Sequence, residues 1–303
     1  MSIITQSTWA KAVWPGVRLW FGQAYDEHKV QHTELFESST SKRAYEEEVG
    51  TSGFGMASVI DEGSAISFDT QSQGFTSRFT HIRYGLGFMV TKIAFDDDLY
   101  GVVAKKRAQA LAFSMRQTKE TVAANIYNRA FNSSYTGPDG IQLISTAHVN
   151  VAGGTFSNRL ATDAALSEAA IEQMLINIMD VRNDRGLRIA IQGQKLIVPI
   201  QLTFEAQRIL GSEYRVGTAE NDINAIVAMN KLPMGIVVNN YLTSSTAWFI
   251  RTNCPDGMKY YTREDDKFAM DNDWDTDNAK FKASARYSFG WSDVRQLFGT
   301  SGS

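Results

Sequence analysis

A chain of 303 residues, 43% apolar and 11% aromatic, carries enough hydrophobic material to fill the core of one large domain or two ordinary ones. Its 30 basic and 33 acidic residues leave a net charge of -3, so there is no strong electrostatic footprint for nucleic acid or anionic membrane, and any contact with DNA is expected to be weak. The single cysteine, Cys254, excludes an internal disulfide framework and a cysteine-built zinc site, no apolar run reaches the length of a bilayer span, and the segment Met1 to Gln6 lacks the pattern of a secretory leader.

In chain order, the first 50 residues hold Trp9, Trp14 and Trp20 with Phe21 and Tyr25, and Pro15-Gly16 breaks any helix among them. An irregular segment this aromatic needs a surface to lie on, either its own domain or a neighbouring subunit. From Phe54 to Phe95 the pattern is one of strands: Phe54 to Ile60, a turn at Asp61-Glu62-Gly63-Ser64, Ile66 to Phe68, and then a run in which Ile82, Tyr84, Leu86, Phe88 and Val90 alternate with more polar neighbours. A two-stranded feature of that length is expected to project from a domain.

The stretch Asp96 to Phe131 predicts one long helix. Tyr100, Ala104, Ala108, Leu111, Met115, Thr118, Val122 and Ile126 form a continuous stripe, with Lys105, Lys106, Arg116, Lys119 and Glu120 off it on the polar side. Asp96, Asp97 and Asp98 suit the positive end of the helix dipole, and Gly137-Pro138-Asp139-Gly140 stops the chain, for a length of roughly 50 Å. A short strand at Ile141 to Ile144 follows. A second helix is predicted from Ser167, with Ile171, Met174, Leu175, Ile178 and Val181 on one face and Arg182 and Arg185 at its end. Strands are expected at Leu187 to Ile191, at Leu196-Ile197-Val198 before Pro199, at Gly235 to Val238, Ala247 to Arg251 and Met258 to Thr262, with a third helix through Leu202, Ala206 and Ile209. Phe281, Ala283, Ala285, Tyr287 and Phe289 alternate as the clearest strand.

Candidate chemistry is sparse. His28, His32, His81 and His148 have no metal-binding spacing, although a spacing of four would put His28 and His32 on one face if a single helix ran through both. Ser145 near His148 lacks the Gly-x-Ser-x-Gly elbow of a nucleophile, and Gly53-Phe54-Gly55 and Gly85-Leu86-Gly87 open no helix, so they read as hairpin hinges. Asp271, Asp273, Asp275 and Asp277 lack the glycine and closing glutamate of a calcium loop and read as a solvated acidic loop. No catalytic residue, metal site or cofactor is therefore assigned.

Tyr84-Gly85 ahead of Asp96-Asp97-Asp98, Asp139-Gly140 with Leu143 and Ser145-Thr146-Ala147-His148, Gly186 before Leu196-Ile197-Val198-Pro199, and Phe281 to Arg295 with Arg286-Tyr287 and Gly290 stand in a telling order. Over nearly the whole chain that order resembles a tailed-bacteriophage major capsid protein of the Johnson fold, an α+β shell fold shared with encapsulins. The resemblance implies an N-terminal arm at 1–49, an extended hairpin or E-loop at 50–93, a P-domain with its spine helix at 94–160, an α/β A-domain at 161–252, and strands returning to the P-domain at 253–303. It also implies subunit contacts through Trp9, Trp14, Trp20, Phe54, Phe68, Phe75 and Phe79.

By the same resemblance the chain is a structural virion protein and not an enzyme. It would be assembled in the host cytoplasm into hexamers and pentamers of an icosahedral head that encloses double-stranded DNA without sequence-specific contact. Expected partners are its own copies, a separate scaffolding protein, a portal protein and a cementing protein. Some relatives carry a scaffolding domain ahead of the arm; here the E-loop begins near residue 50, so a separate scaffold or none is expected. Some lock their shells by an isopeptide bond from an E-loop lysine, but residues 44–91 contain no lysine, which predicts a non-covalent shell. The alternatives are an encapsulin-like compartment and a soluble α+β enzyme.

Overall fold

The computed structural model describes residues 19, 21–91, 93, 100–214, 222–272 and 278–302. These fall into two compact units. The first comprises the described parts of Met1–Tyr45, Thr80–Ala123 and Tyr260–Ser288, and the second those of Glu46–Phe79, Ala124–Lys259 and Phe289–Ser303.

The first unit begins with a helical stretch at 21–27 and a short helix α1 (His32–Leu35), and continues through strand β1 (Glu37–Thr40). After the hairpin of β2 (Tyr45–Thr51) and β3 (Gln73–Thr80), which apart from Tyr45 and Thr80 belongs to the second unit, the chain returns to the first in β4 (Ile82–Val90) and enters the long helix α2 (Tyr100–Asn128). The 29 residues of α2 run roughly 43 Å at the standard helical rise. The expected acidic start at Asp96 to Asp98 lies outside the described residues. Ala108 of α2 packs with Val90, Ala279 and Phe281, and Phe88, Phe268 and Met270 close over this cluster. A small residue at that point lets the helix backbone approach the sheet.

The sheet has the order β1, β10 (Met258–Asn272), β11 (Ala279–Trp291), β4. Strand β4 is not the second arm of a hairpin with 54–68, as its alternation suggested; it pairs antiparallel with β11, with Lys282 opposite Gly87 and Tyr287 opposite Ile82. Tyr84 stacks on Tyr287 and Phe88 on Phe281, each with centroids 4.8 Å apart. Periodicity identifies a strand and its buried face but not its partner, and here the aromatic ladder selects β11. Gly85 and Gly87 are accordingly not hinges: a Cβ on Gly87 would lie 2.6 Å from the Phe281 carbonyl oxygen, so the glycine permits the close pairing.

In the second unit β5 (His148–Val149) pairs antiparallel with β6 (Thr155–Phe156), and a sheet of order β12 (Leu297–Thr300), β9 (Trp248–Thr252), β7 (Gly193–Pro199), β8 (Ile236–Asn239) packs beneath α3 (Glu168–Met179) and α4 (Thr203–Gly211). Ile171, Met174 and Ile178 of α3, Ala206 and Ile209 of α4, and Leu196, Val198, Trp248, Ile250 and Phe298 of the sheet form one core. Strands β7 and β8 are parallel and joined through α4, as a helical crossover requires. Ser167 caps α3 by accepting from the Ala170 amide at 3.3 Å. The helix ends at Met179, short of Arg182 and Arg185, because Val181 to Ile189 turn back on themselves with Gly186 at φ +81°. Those two cations are thus free of the helix end to which sequence assigned them.

Two further corrections follow from packing. Residues 141–144 and 187–191 are not strands; in the first, Leu143 and Ile144 are buried while the Asn158 side chain supplies the bonds a neighbouring strand would, donating to the Leu143 carbonyl at 2.7 Å and the Leu297 carbonyl at 3.0 Å and accepting from the Ser145 amide at 2.8 Å. The C-terminal region is also split: β10 and β11 return to the first unit, whereas β12 pairs with β9, since Leu297 and Phe298 are fully buried in the second.

Candidate subunit-contact site

Between β2 and β3 the chain from Ser52 to Ser72 forms a long loop instead of the predicted strands. Its apolar side chains face solvent: Phe54, Met56, Val59, Ile60, Ile66 and Phe68 are all exposed, Val59 and Phe68 almost wholly so. A stretch that places this much hydrocarbon in water without a core beneath it is the candidate contact surface of the described residues. The pairing with a polar rung at the base keeps the loop's two limbs together. Ser52 and Ser72 exchange backbone and hydroxyl bonds of 2.9 to 3.2 Å, and Ser58 and Ser67 make a second contact at 3.2 Å.

Between those rungs sits Asp69. Its carboxylate accepts from the amides of Gly55 and Thr70, each at 2.8 Å, and from Arg185 Nη2 at 2.7 Å. The Gly55 and Thr70 amides, and then the Arg185 guanidinium, hold this carboxyl below the usual range. Arg185 also donates to the carbonyls of Gly53 at 3.2 Å and Thr70 at 2.8 Å. Sequence reading placed Arg185 at a helix end and gave Asp69 no role; only an acid and an arginine separated by more than a hundred residues were visible.

The predicted contact residues divide by environment. Trp9, Trp14 and Trp20 lie outside the described residues. Phe54 and Phe68 stand on the exposed loop, and Phe75, 37% exposed, lies on β3 at its root. Phe79 is buried, with its ring against Gly290 so closely that a Cβ there would come within 2.8 Å. Its surface is spent inside its own subunit.

In the first unit the polar face predicted for α2 is in part a socket. Arg116, Lys119 and Glu120 are buried, and they grip the segment from Tyr25 to His32. The Arg116 guanidinium lies 3.7 Å from the Tyr25 ring centroid and donates to its carbonyl at 3.1 Å. Lys119 donates to the Tyr25 hydroxyl at 2.9 Å and to Asp266 at 2.5 Å. Glu120 accepts from the amides of Gln31 and His32, the latter at 2.8 Å, and meets His32 Nδ1 at 2.6 Å. Burial pushes the Tyr25 hydroxyl up to about 12, and although burial alone would lower the Lys119 ammonium, Tyr260, Asp266 and Tyr25 raise it above its ordinary value. A helical-wheel argument cannot see this, because the partners come from distant chain.

The remaining candidates are structural. His148 is buried between Asp139 Oδ2 at 2.6 Å and Asn158 Oδ1 at 3.1 Å, and the Ser145 hydroxyl accepts from the Ala147 amide, so the pair forms no nucleophile and base. His81 bridges the hydroxyls of Ser288 and Ser41. Residues 273–277 of the acidic run lie outside the described residues, and among those described no cluster of His, Cys, Asp or Glu has metal-binding geometry. A cleft of about 750 Å³ in the second unit is lined by Glu48, Phe75, Phe156, Cys254, Lys259 and Arg295 among others. Lys259 pairs with Glu48 at 2.6 Å and Asp256 at 2.7 Å, and Arg295 with Asp184 at 2.8 Å. Burial, and then Asp293, pushes the Cys254 thiol well above its ordinary range. The cleft's charges are spent on one another.

Residues 74–298 match the family model described as phage capsid protein. No curated protein matches the chain. Among solved structures, the procapsid of bacteriophage JBD30 is similar at 12% identity and a TM-score of 0.55, over 99% of this chain and 77% of that one. A protein of Mycobacterium phage Che8 shares 14% identity at 0.54, over 91% and 93%. A virus-like particle from Pyrococcus furiosus shares 11% at 0.51, over 94% and 97%. At such identities the likeness is one of fold.

Proposed function

The chain belongs to the phage capsid protein family, and from that premise we propose that its copies assemble into hexamers and pentamers of an icosahedral head enclosing double-stranded DNA. One observation carries the reading beyond the family: the exposed apolar row of the Ser52–Ser72 loop, which a solitary subunit would not keep in water. Phe54 and Phe68 seat on a neighbouring subunit, and Phe75 borders that contact. Repeated head to tail, one such heterologous contact closes a ring. The net charge of -3 supports an inner wall that holds DNA loosely. The aromatic arm at Trp9, Trp14 and Trp20 adds a second contact between copies. A separate scaffolding protein, a portal and a cementing protein complete the particle, which is assembled in the host cytoplasm.

Negative-stain microscopy of the purified protein tests this. Rings or spheres with nucleic-acid-sized cavities are expected, and uniformly small particles at all concentrations would refute it. The likeness to a virus-like particle favours, as a second reading, a cellular shell that holds protein. Particles that carry a co-purified enzyme and no portal would decide for that reading.

A further inference from the structure

We infer that Arg185 is the positioning residue of the contact loop, aiming the Ser52–Ser72 segment from the turn after α3 through its fork onto Asp69, Gly53 and Thr70. The inference rests on the reading of that loop as a subunit contact.

An exposed ion pair ordinarily contributes little, and Asp69 and Arg185 are 45% and 28% exposed. This pair differs in its connections. Arg185 touches both limbs of the loop, Gly53 on the outgoing one and Asp69 and Thr70 on the returning one. Asp69 in turn ties the returning limb to the Gly55 amide of the outgoing one. The donor is itself held: the Asn183 side chain accepts from the amides of Arg185 and Leu187, each at 2.9 Å, and Gly186 supplies the left-handed turn beside it. Gly53 passes so near that a Cβ would stand 3.4 Å from Asn183 Nδ2. The loop has no strand and no core from residue 52 to 72, so these bonds decide in which direction Phe54 and Phe68 point. A seat that is aimed before contact loses less entropy on binding than one that must be searched for.

The test is a double-mutant cycle on the full chain with Arg185→Ala, Asp69→Ala and the pair, read as the critical concentration for assembly in sedimentation and as amide exchange at Gly55 and Thr70. Each single variant should raise the critical concentration about fivefold, the double should fall short of the product of the two singles, and both amides should exchange faster while the thermal melt of the subunit holds. Arg185→Lys, which keeps the charge but not the fork, should recover only part. Wild-type assembly of both single variants, or penalties that multiply in the double, would overturn the inference. Should Arg185→Ala disturb folding, Asp69→Ala on the exposed loop alone decides. Phe68→Asp separates the two claims: if it assembles normally the loop reading fails, and if it fails while the clamp variants assemble normally only the clamp does.

Discussion

Phe68→Asp is the sharpest perturbation of the contact surface, because its two effects fall on different observables. Phe68 is 96% exposed in the subunit, so folding gains nothing from its ring, and the substitution should change subunit stability by no more than about 0.5 kcal/mol. If the ring seats on a neighbouring subunit as proposed, forfeiting a phenylalanine side chain forgoes about 1.5 to 3 kcal/mol. The carboxylate left in its place must either be dehydrated or hold the contact open, which places the total at or above about 2.7 kcal/mol, a hundredfold in the association constant. In the proposed closed ring each subunit would offer one loop and receive one, so the whole penalty would apply per subunit. Sedimentation velocity should therefore show the critical concentration for assembly raised about a hundredfold, with circular dichroism melts superimposing on those of the parent. Phe68→Leu, which keeps most of the hydrocarbon, should lie much nearer the parent. Assembly of Phe68→Asp at parental concentrations, or loss of the subunit fold, would refute the reasoning. The equivalent change at Phe75 is less informative, since that half-buried ring on β3 also serves its own hairpin.

Glu120→Ala removes the buried carboxylate that accepts from the Gln31 and His32 amides and meets the His32 ring, and should cost about 3 to 5 kcal/mol in chemical denaturation, Glu120→Gln distinctly less; equal, small effects would argue against the socket. Gly87→Val drives a side chain into the Phe281 carbonyl and should cost about 1 to 3 kcal/mol, where a neutral result would contradict the β4–β11 register. The Arg159 bond, then those of Ser301 and Thr300, depress the Asp163 carboxyl, so its contribution is complete above the ordinary aspartate range near about 4 and is lost as pH falls from there toward the depressed value. Melting temperatures taken from pH 5 down to 2 should fall more steeply for the parent than for Asp163→Asn, and parallel curves would deny the linkage. Because residues 44–91 contain no lysine, mature particles boiled in detergent should run as one band near 33.7 kDa; a covalent ladder that survives reductant would contradict this.

Local pattern determined the long helix, the helix after Ser167 and most of the buried strands, but not the segments 54–68, 141–144 and 187–191, which it read as strands. The apolar stripe from Ala108 through Met115 predicts α2, the apolar face that begins after Ser167 predicts α3, and the run Leu196-Ile197-Val198 predicts a buried strand, because each of these signals lies within a few residues of its effect. The order of the parts, with the fragments from Tyr84 to Gly290, was enough to point to the capsid fold. What the sequence could not supply was partnership. Alternation in Ile82–Val90 is the same whether the strand lies in a hairpin or beside β11, and the choice was made by Tyr287 and Phe281 almost two hundred residues away. The charges of Arg116, Lys119 and Glu120 belong on a solvated face until Tyr25 and His32 arrive to pair with them, and Arg185 belongs to a helix end until Asp69 claims it. A buried or clamped charge is stable only with its partner in place, and that partner is brought to it by the fold.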